Sequence, residues 1–138
     1  MHSLQALVAL CSLAAYAFAH PPPLPPGPTI DKCKDSLLIL TGIVYDQVLA
    51  YSSSTALGPS QGNVTFQLTN SVVPYTTNCV ATSTLAPEFF TQTMPPWECD
   101  LPSNAPSGAG ATFMFDQALG LFQVNQTFTC AGQTLQHR

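Results

Sequence analysis

The sequence predicts an all-β fold, an antiparallel barrel or sandwich linked by disulfides. Three observations carry that prediction. Apolar and polar residues alternate with period two over residues 64–69, 111–115 and 120–130, the mark of half-buried strands. No stretch shows a sustained helical period. Turn signals separate the strand-like runs at the spacing of a sandwich or barrel.

The first nineteen residues, MHSLQALVALCSLAAYAFA, form an apolar run ending in Ala17-Phe18-Ala19. Small residues at the first and third of those positions suit signal peptidase, so residues 1–19 read as a signal peptide cleaved before His20. The competing reading is a membrane anchor. Leu4 to Ala19 falls short of the roughly 20 apolar residues of a bilayer span, and no basic flank follows. The expectation is therefore an extracellular protein with no membrane association after cleavage, folded where disulfides form.

Residues 20–32 read as a proline-rich spacer, with six prolines in PPPLPPGP at 21–28. Such a run favours an extended polyproline II conformation without a core. Residues 33–138 read as a single domain. Within it, residues 37–51 form a long apolar segment with β-branched residues, expected as one or two strands. VTFQLT at 64–69 turns Val64, Phe66 and Leu68 inward. Residues 79–85 are a weaker strand. PEFFTQTMPPWECDLPSNAP, at 87–106, is turn-rich, and its prolines exclude a central strand. ATFMF at 111–115 ends at Asp116. In residues 120–130, Phe122, Val124, Phe128 and Cys130 share one face, with Asn125 on the other.

Charged residues make up 7% of the chain, and only three are basic: Lys32, Lys34 and Arg138. Nucleic-acid binding needs several cations set against phosphates, so no nucleic acid is expected as a partner. Anionic membrane surfaces are set aside for the same reason. Solubility must rest on Ser, Thr, Asn and Gln, which crowd residues 52–84. Two sequons, Asn63-Val64-Thr65 and Asn125-Gln126-Thr127, would add glycans on outer faces.

Cys11 leaves with the leader. Cys33, Cys79, Cys99 and Cys130 remain and allow three pairings. Cys79–Cys99 is favoured because the segment between them reads as a long loop. That bridge would stabilise the fold by ~3 kcal/mol through restriction of the unfolded chain. Cys33–Cys130 would then tie the domain's ends together. No Cys-x-x-Cys spacing suggests a metal, and no cofactor motif is present.

The chemistry-bearing residues are few. After cleavage only His20 and His137 survive, one at each end, so neither is expected to serve as a base inside the fold. Glu98 and Asp100 flank Cys99 and could face the same way, the arrangement a small glycoside hydrolase would need. The simpler reading is a solvated loop beside a disulfide. Trp97 could be a ligand contact, a sugar-stacking platform joined by Tyr45, Tyr51 and Tyr75. The simpler reading is a plug packed on the disulfide.

GNVTFQLTN, the segment from Tyr75 to Cys79, Phe89-Phe90, Trp97-Glu98-Cys99, the FMFD strand and NQTFTC together resemble the secreted fungal β-barrel family typified by the Alternaria major allergen. The resemblance covers roughly residues 33–130. It implies an extracellular all-β barrel, often a homodimer, with Cys79 paired to Cys99. It implies no catalytic residues. Family members act as allergens, as elicitors, or as effectors that contact host defence proteins. Such members continue past the NQTFTC-like strand to a further strand and a late cysteine. This chain follows it only with AGQTLQHR, so a missing final strand and an unpaired sheet edge are expected here, and the departure leaves the partner of Cys130 open. The expectation is a non-enzymatic binding protein. A carbohydrate-binding module built on Trp97 and the tyrosines, and a hydrolase built on Glu98 and Asp100, are the alternatives.

Overall fold

The computed structural model describes residues 25–27 and 29–138; the leader, His20 and residues 21–24 and 28 of the proline-rich spacer lie outside them. One short helix, α1 (Ile30–Lys34), precedes seven strands: β1 (Leu38–Val48), β2 (Gln61–Asn70), β3 (Thr76–Ser83), β4 (Trp97–Glu98), β5 (Gly110–Asp116), β6 (Leu121–Cys130) and β7 (Gln133–His137). They form two antiparallel sheets, ordered β1-β2-β3 and β4-β5-β6-β7. The fold is all-β and sandwich-like, not a closed barrel.

The alternating pattern sets which face is buried. Val64, Phe66 and Leu68 of β2 are buried, as are Cys79 and Ala81 of β3 and Ala111, Phe113 and Phe115 of β5. Their side chains meet between the sheets. Phe66 stands edge-on to Phe113 with ring centroids 4.8 Å apart, and Phe115 stacks on Phe122 at 4.5 Å. Such aromatic pairs stabilise beyond their buried area by about 0.5–1.5 kcal/mol each. A smaller cluster gathers Cys33, Phe128 and Cys130, with Val72, Val73 and Leu135 against it.

One lateral seam joins the sheets. Asn78 of β3 and Asp100 exchange both backbone hydrogen bonds, at 3.1 and 2.7 Å. The adjacent Cys79–Cys99 disulfide crosses the same place. Cys33–Cys130 bonds α1 to the end of β6 across a sequence separation of 97. Both pairings favoured from the sequence are present, and Cys130 has a partner within the chain.

The turn-rich segment after β3 also serves the core. Phe89 and Phe90 are fully buried there. Gln117 holds them: its Oε1 accepts from the backbone N–H of Phe89 at 2.9 Å and of Phe90 at 3.2 Å, and its Nε2 donates to the Pro87 carbonyl at 3.2 Å. Gly62 makes room for Phe89. A Cβ on Gly62 would lie 2.6 Å from the Phe89 Cγ.

Three expectations need correction. The tail after Cys130 is not strandless: Gln133–His137 pair with Gln126–Cys130 as β7. The tight connection uses Ala131 and Gly132, with φ of 49° and 75°, the positive pair a two-residue hairpin turn demands. Alanine gives no sequence signal for that turn, which is why the strand was missed. Residues 97–98, inside the expected loop, form β4 on β5. Ile30–Lys34 makes one helical turn across the expected boundary between spacer and domain.

Two stability outcomes follow from these contacts. Gly62→Ala should cost roughly 1–3 kcal/mol, because a buried ring must move, read as a lowered urea midpoint at unchanged slope. Ala131→Asn should raise stability by about 1 kcal/mol in the same titration, since asparagine tolerates positive φ. A destabilised Ala131→Asn variant would show that the turn does not carry this strain.

Candidate functional site

The outer face of the four-stranded sheet carries a groove of about 460 Å³. The strand register builds it. Glu98 of β4 pairs with Thr112 of β5, and Thr112 with Asn125 of β6. Gly110 pairs with Thr127, and Thr127 with Gln136 of β7. Thus one row presents Glu98, Thr112 and Asn125. The next row begins at Gly110, which has no side chain to fill the space. Arg138 also lines the groove. A second groove of about 490 Å³ is lined by Phe122, Gln123, Val124, Asn125 and Arg138. It lies beside residues 121–125 of β6, which β7 does not reach. The two grooves share Asn125 and Arg138.

The two candidate acids are both exposed and flank the buried Cys99. Glu98 is exposed and is the one carboxylate side chain lining the first groove. Asp100 is exposed too, but its backbone is committed to the Asn78 seam and it does not line that groove.

The aromatic platform is not assembled. Trp97 is half-buried, and its ring stands edge-on to Phe90 at 6.1 Å. Tyr45 packs on Phe115 at 5.3 Å and on Phe90 at 6.1 Å. Burial pushes its phenol above the ordinary value, with the Asp46 charge adding to the effect. It therefore stays protonated at neutral pH, with its hydroxyl 3.1 Å from Gln117 Oε1. Tyr75 is buried, which raises its phenol as well. Of the four rings, Tyr51 alone is largely exposed.

His137 is placed differently from the expectation of an idle terminus. It sits on β7, lines the groove, and its Nδ1 lies 3.0 Å from Ser36 Oγ. Ser36 is buried and does not line the groove, so the pair is not an accessible nucleophile and base. It ties β7 to the segment ahead of β1. Among the described residues no group of three or more His, Cys, Asp or Glu side chains could hold a metal ion. No described helix is long and apolar enough to cross a membrane.

The most distinctive surface is β1. It is an edge strand of eleven residues, paired only with β2. Ile39, Ile43, Val44 and Val48 are exposed by 43%, 49%, 55% and 66%. On the outer face Val44 sits beside Thr65, and Thr65 beside Val80, which is also exposed. Gly42, with φ of 61°, and Ile43 oppose Phe66 alone, a bulge that bends the strand. Strand content was legible at residues 37–51, but exposure was not. An apolar run reads equally as a buried strand.

The two sequon asparagines differ in setting. Asn63 is half-buried on the central strand β2. Its Oδ1 accepts from Gln61 Nε2 and Thr82 Oγ1 at 2.9 Å each, and its Nδ2 donates to Asp46 at 3.4 Å. Asn125 is exposed on β6. Beside it, Gln126 is 2% exposed, and its Oε1 accepts from Asn70 Nδ2 at 2.8 Å across the sandwich. Sequence reading missed Gln126, since its polarity hid its place on the buried face.

Replacing Gln117 with leucine should leave the Phe89 and Phe90 N–H groups unpaired. The expected cost is roughly 2–3 kcal/mol in chemical denaturation. Faster hydrogen exchange at residues 86–91 should accompany it. Unchanged protection there would show that the loop is held by its phenylalanines alone.

No family model, no curated protein and no solved structure matches this chain.

Proposed function

We propose that this protein acts outside the cell as a non-enzymatic binding protein, of the effector or elicitor kind, and that it engages a host protein through β1. The observation that carries the reading is the exposed apolar edge strand. An edge strand presents unpaired backbone N–H and C=O groups, a template onto which a partner's extended segment can add. LILTGIVYDQV contains no lysine or proline; its guards are the bulge at Gly42–Ile43 and Asp46, and Val44 and Val48 beyond the bulge stay exposed. A partner strand would gain backbone hydrogen bonds there, with Ile43, Val44 and Val48 giving apolar contact.

Secretion is supported by the leader-like first nineteen residues and by two disulfides. The resemblance to the fungal barrel family supports a host-facing role and a homodimer as a second state of the same edge. The dispersal of Trp97 and the tyrosines favours a protein partner over a sugar.

The test is binding of the secreted protein to purified extracellular host defence proteins, measured by interferometry. Light scattering should monitor self-association in parallel. Val44→Lys with Val48→Lys should weaken binding at least tenfold while leaving the unfolding midpoint nearly unchanged, both sites being exposed. Gln67→Lys, exposed on the outer face of β2, is the control and should bind as the parent does. Equal binding by the double variant would reject β1 as the docking strand. Loss of dimer without loss of host binding would assign β1 to self-association instead.

A further inference from the structure

We infer that the sandwich binds an internal water molecule through Gln126 Nε2, Thr77 Oγ1 and Tyr75 Oη, at the end of the core nearer the Cys33–Cys130 bridge. The site lies inside the fold and stands apart from the docking role proposed for β1.

The interior is not apolar throughout. Asn70, Tyr75, Thr77 and Gln126 form a polar layer, none of them more than 6% exposed. The strand register places them together. Leu68 of β2 belongs to the main core, and Asn70 is the next inward position along the strand. Gln126 is the inward position of β6 just before Phe128, which belongs to the smaller cluster. Thr77 pairs with Leu68, and Tyr75 lies two residues ahead of it on the same inward alternation. On the facing sheet, Cys99, Ala111 and Gln126 follow one another across the ladder. Cys99 is bonded to Cys79, the inward neighbour of Thr77 on β3. The layer thus separates the two apolar clusters, and the single methyl of Ala111 stands beside Gln126 within it.

The hydrogen bonds fix which way each amide points. The Val72 backbone N–H donates to Asn70 Oδ1 at 3.0 Å. Asn70 Nδ2 therefore faces Gln126 and donates to its Oε1 at 2.8 Å. Gln126 is left presenting Nε2, a group with two N–H donors and no acceptor among the described residues. Thr77 Oγ1 and Tyr75 Oη are also buried without a partner among them. Burial raises the Tyr75 phenol, so its hydroxyl keeps its proton and can donate as well as accept. A buried polar group left dry is costly. Buried water is found where such groups gather, and makes about three hydrogen bonds to them. The water accepts from Gln126 Nε2 and from one hydroxyl, and donates to the other. It extends the Asn70–Gln126 bridge from β2 to β3. A slide of one sheet by one inward position would set Asn70 against an apolar side chain of β6, Val124 or Phe128, so the wet layer also fixes the relative height of the sheets.

The experiment has three arms, all on the protein produced from the full chain. A high-resolution crystal structure, which needs no substitution, should show a water oxygen within hydrogen-bond distance of Gln126 Nε2, Thr77 Oγ1 and Tyr75 Oη. Oxygen-17 relaxation dispersion in solution should detect a long-lived internal water, and Thr77→Val and Tyr75→Phe should each reduce that amplitude. Urea titration supplies a sign. With water in the layer, each variant should lower the midpoint at unchanged slope, and the two together should cost less than their sum, because they share the water. In a dry layer, Thr77→Val would raise the midpoint, since a methyl of the same shape would replace an unpaired hydroxyl. A raised midpoint, a crystal structure in which Gln126 Nε2 bonds directly to either hydroxyl or the layer holds no water, or a dispersion amplitude that neither variant changes overturns the inference.

Discussion

The seam between β3 and β4 is the constraint on which the sandwich depends. Two backbone hydrogen bonds between Asn78 and Asp100, and the disulfide between their neighbours Cys79 and Cys99, fix the sheets to each other along one side. Everything between the sheets follows from that fixed angle. The Phe66 ring reaches Phe113 only if β2 and β5 keep their relative height, and Phe122 reaches both Phe66 and Phe115 on the same condition. The twenty-residue separation of the cysteines closes a loop in the unfolded chain, which raises the unfolded state's free energy by ~3 kcal/mol. The core then has a defined geometry to fill rather than two sheets free to slide.

The opposite side is left open for a geometric reason. Closing a barrel would require β1 to pair with the far edge of the other sheet. That edge is β7. β1 is eleven residues long and is bent by the bulge at Gly42 and Ile43. The bend carries β1 out of a continuous ladder. The contacts that do cross on this side are point contacts: Ser36 with His137 near one end and Tyr45 with Gln117 and Phe115 near the other. They hold β1 over the core without satisfying its outer backbone groups. The exposed edge that serves as the proposed docking strand is thus a consequence of how the sheets are joined.

Much of the architecture was legible because its cause is local. Period-two alternation in VTFQLT and ATFMF reports burial on one face, and β2 and β5 lie over those residues. The cysteine pairs were legible from loop length and elimination. What escaped detection depends on long-range context. Gln117 and Gln126 look like surface residues, yet one holds the Phe89–Phe90 segment and the other is buried against Asn70. The Ala131-Gly132 turn hides because alanine seldom takes positive φ. The candidate site was less legible still. Glu98 and Asp100 were singled out as a pair, and the backbone seam at Asp100 had no sequence signal; Trp97 was singled out for a platform, and its ring packs on Phe90.

The charge-poor composition links these features. A sandwich with few ionic side chains has polar amides and hydroxyls to keep its outer faces wet, and the row Asp46, Asn63 and Thr82 across β1, β2 and β3 shows how they do so, by bonding to one another along the register. Such a lattice is satisfied within the face and offers a protein partner little unpaired polarity. The edges are the reverse. There the backbone itself is the unsatisfied polar group, flanked on β1 by isoleucine and valine rather than lysine. Specific recognition therefore falls to the edges and not to the broad faces.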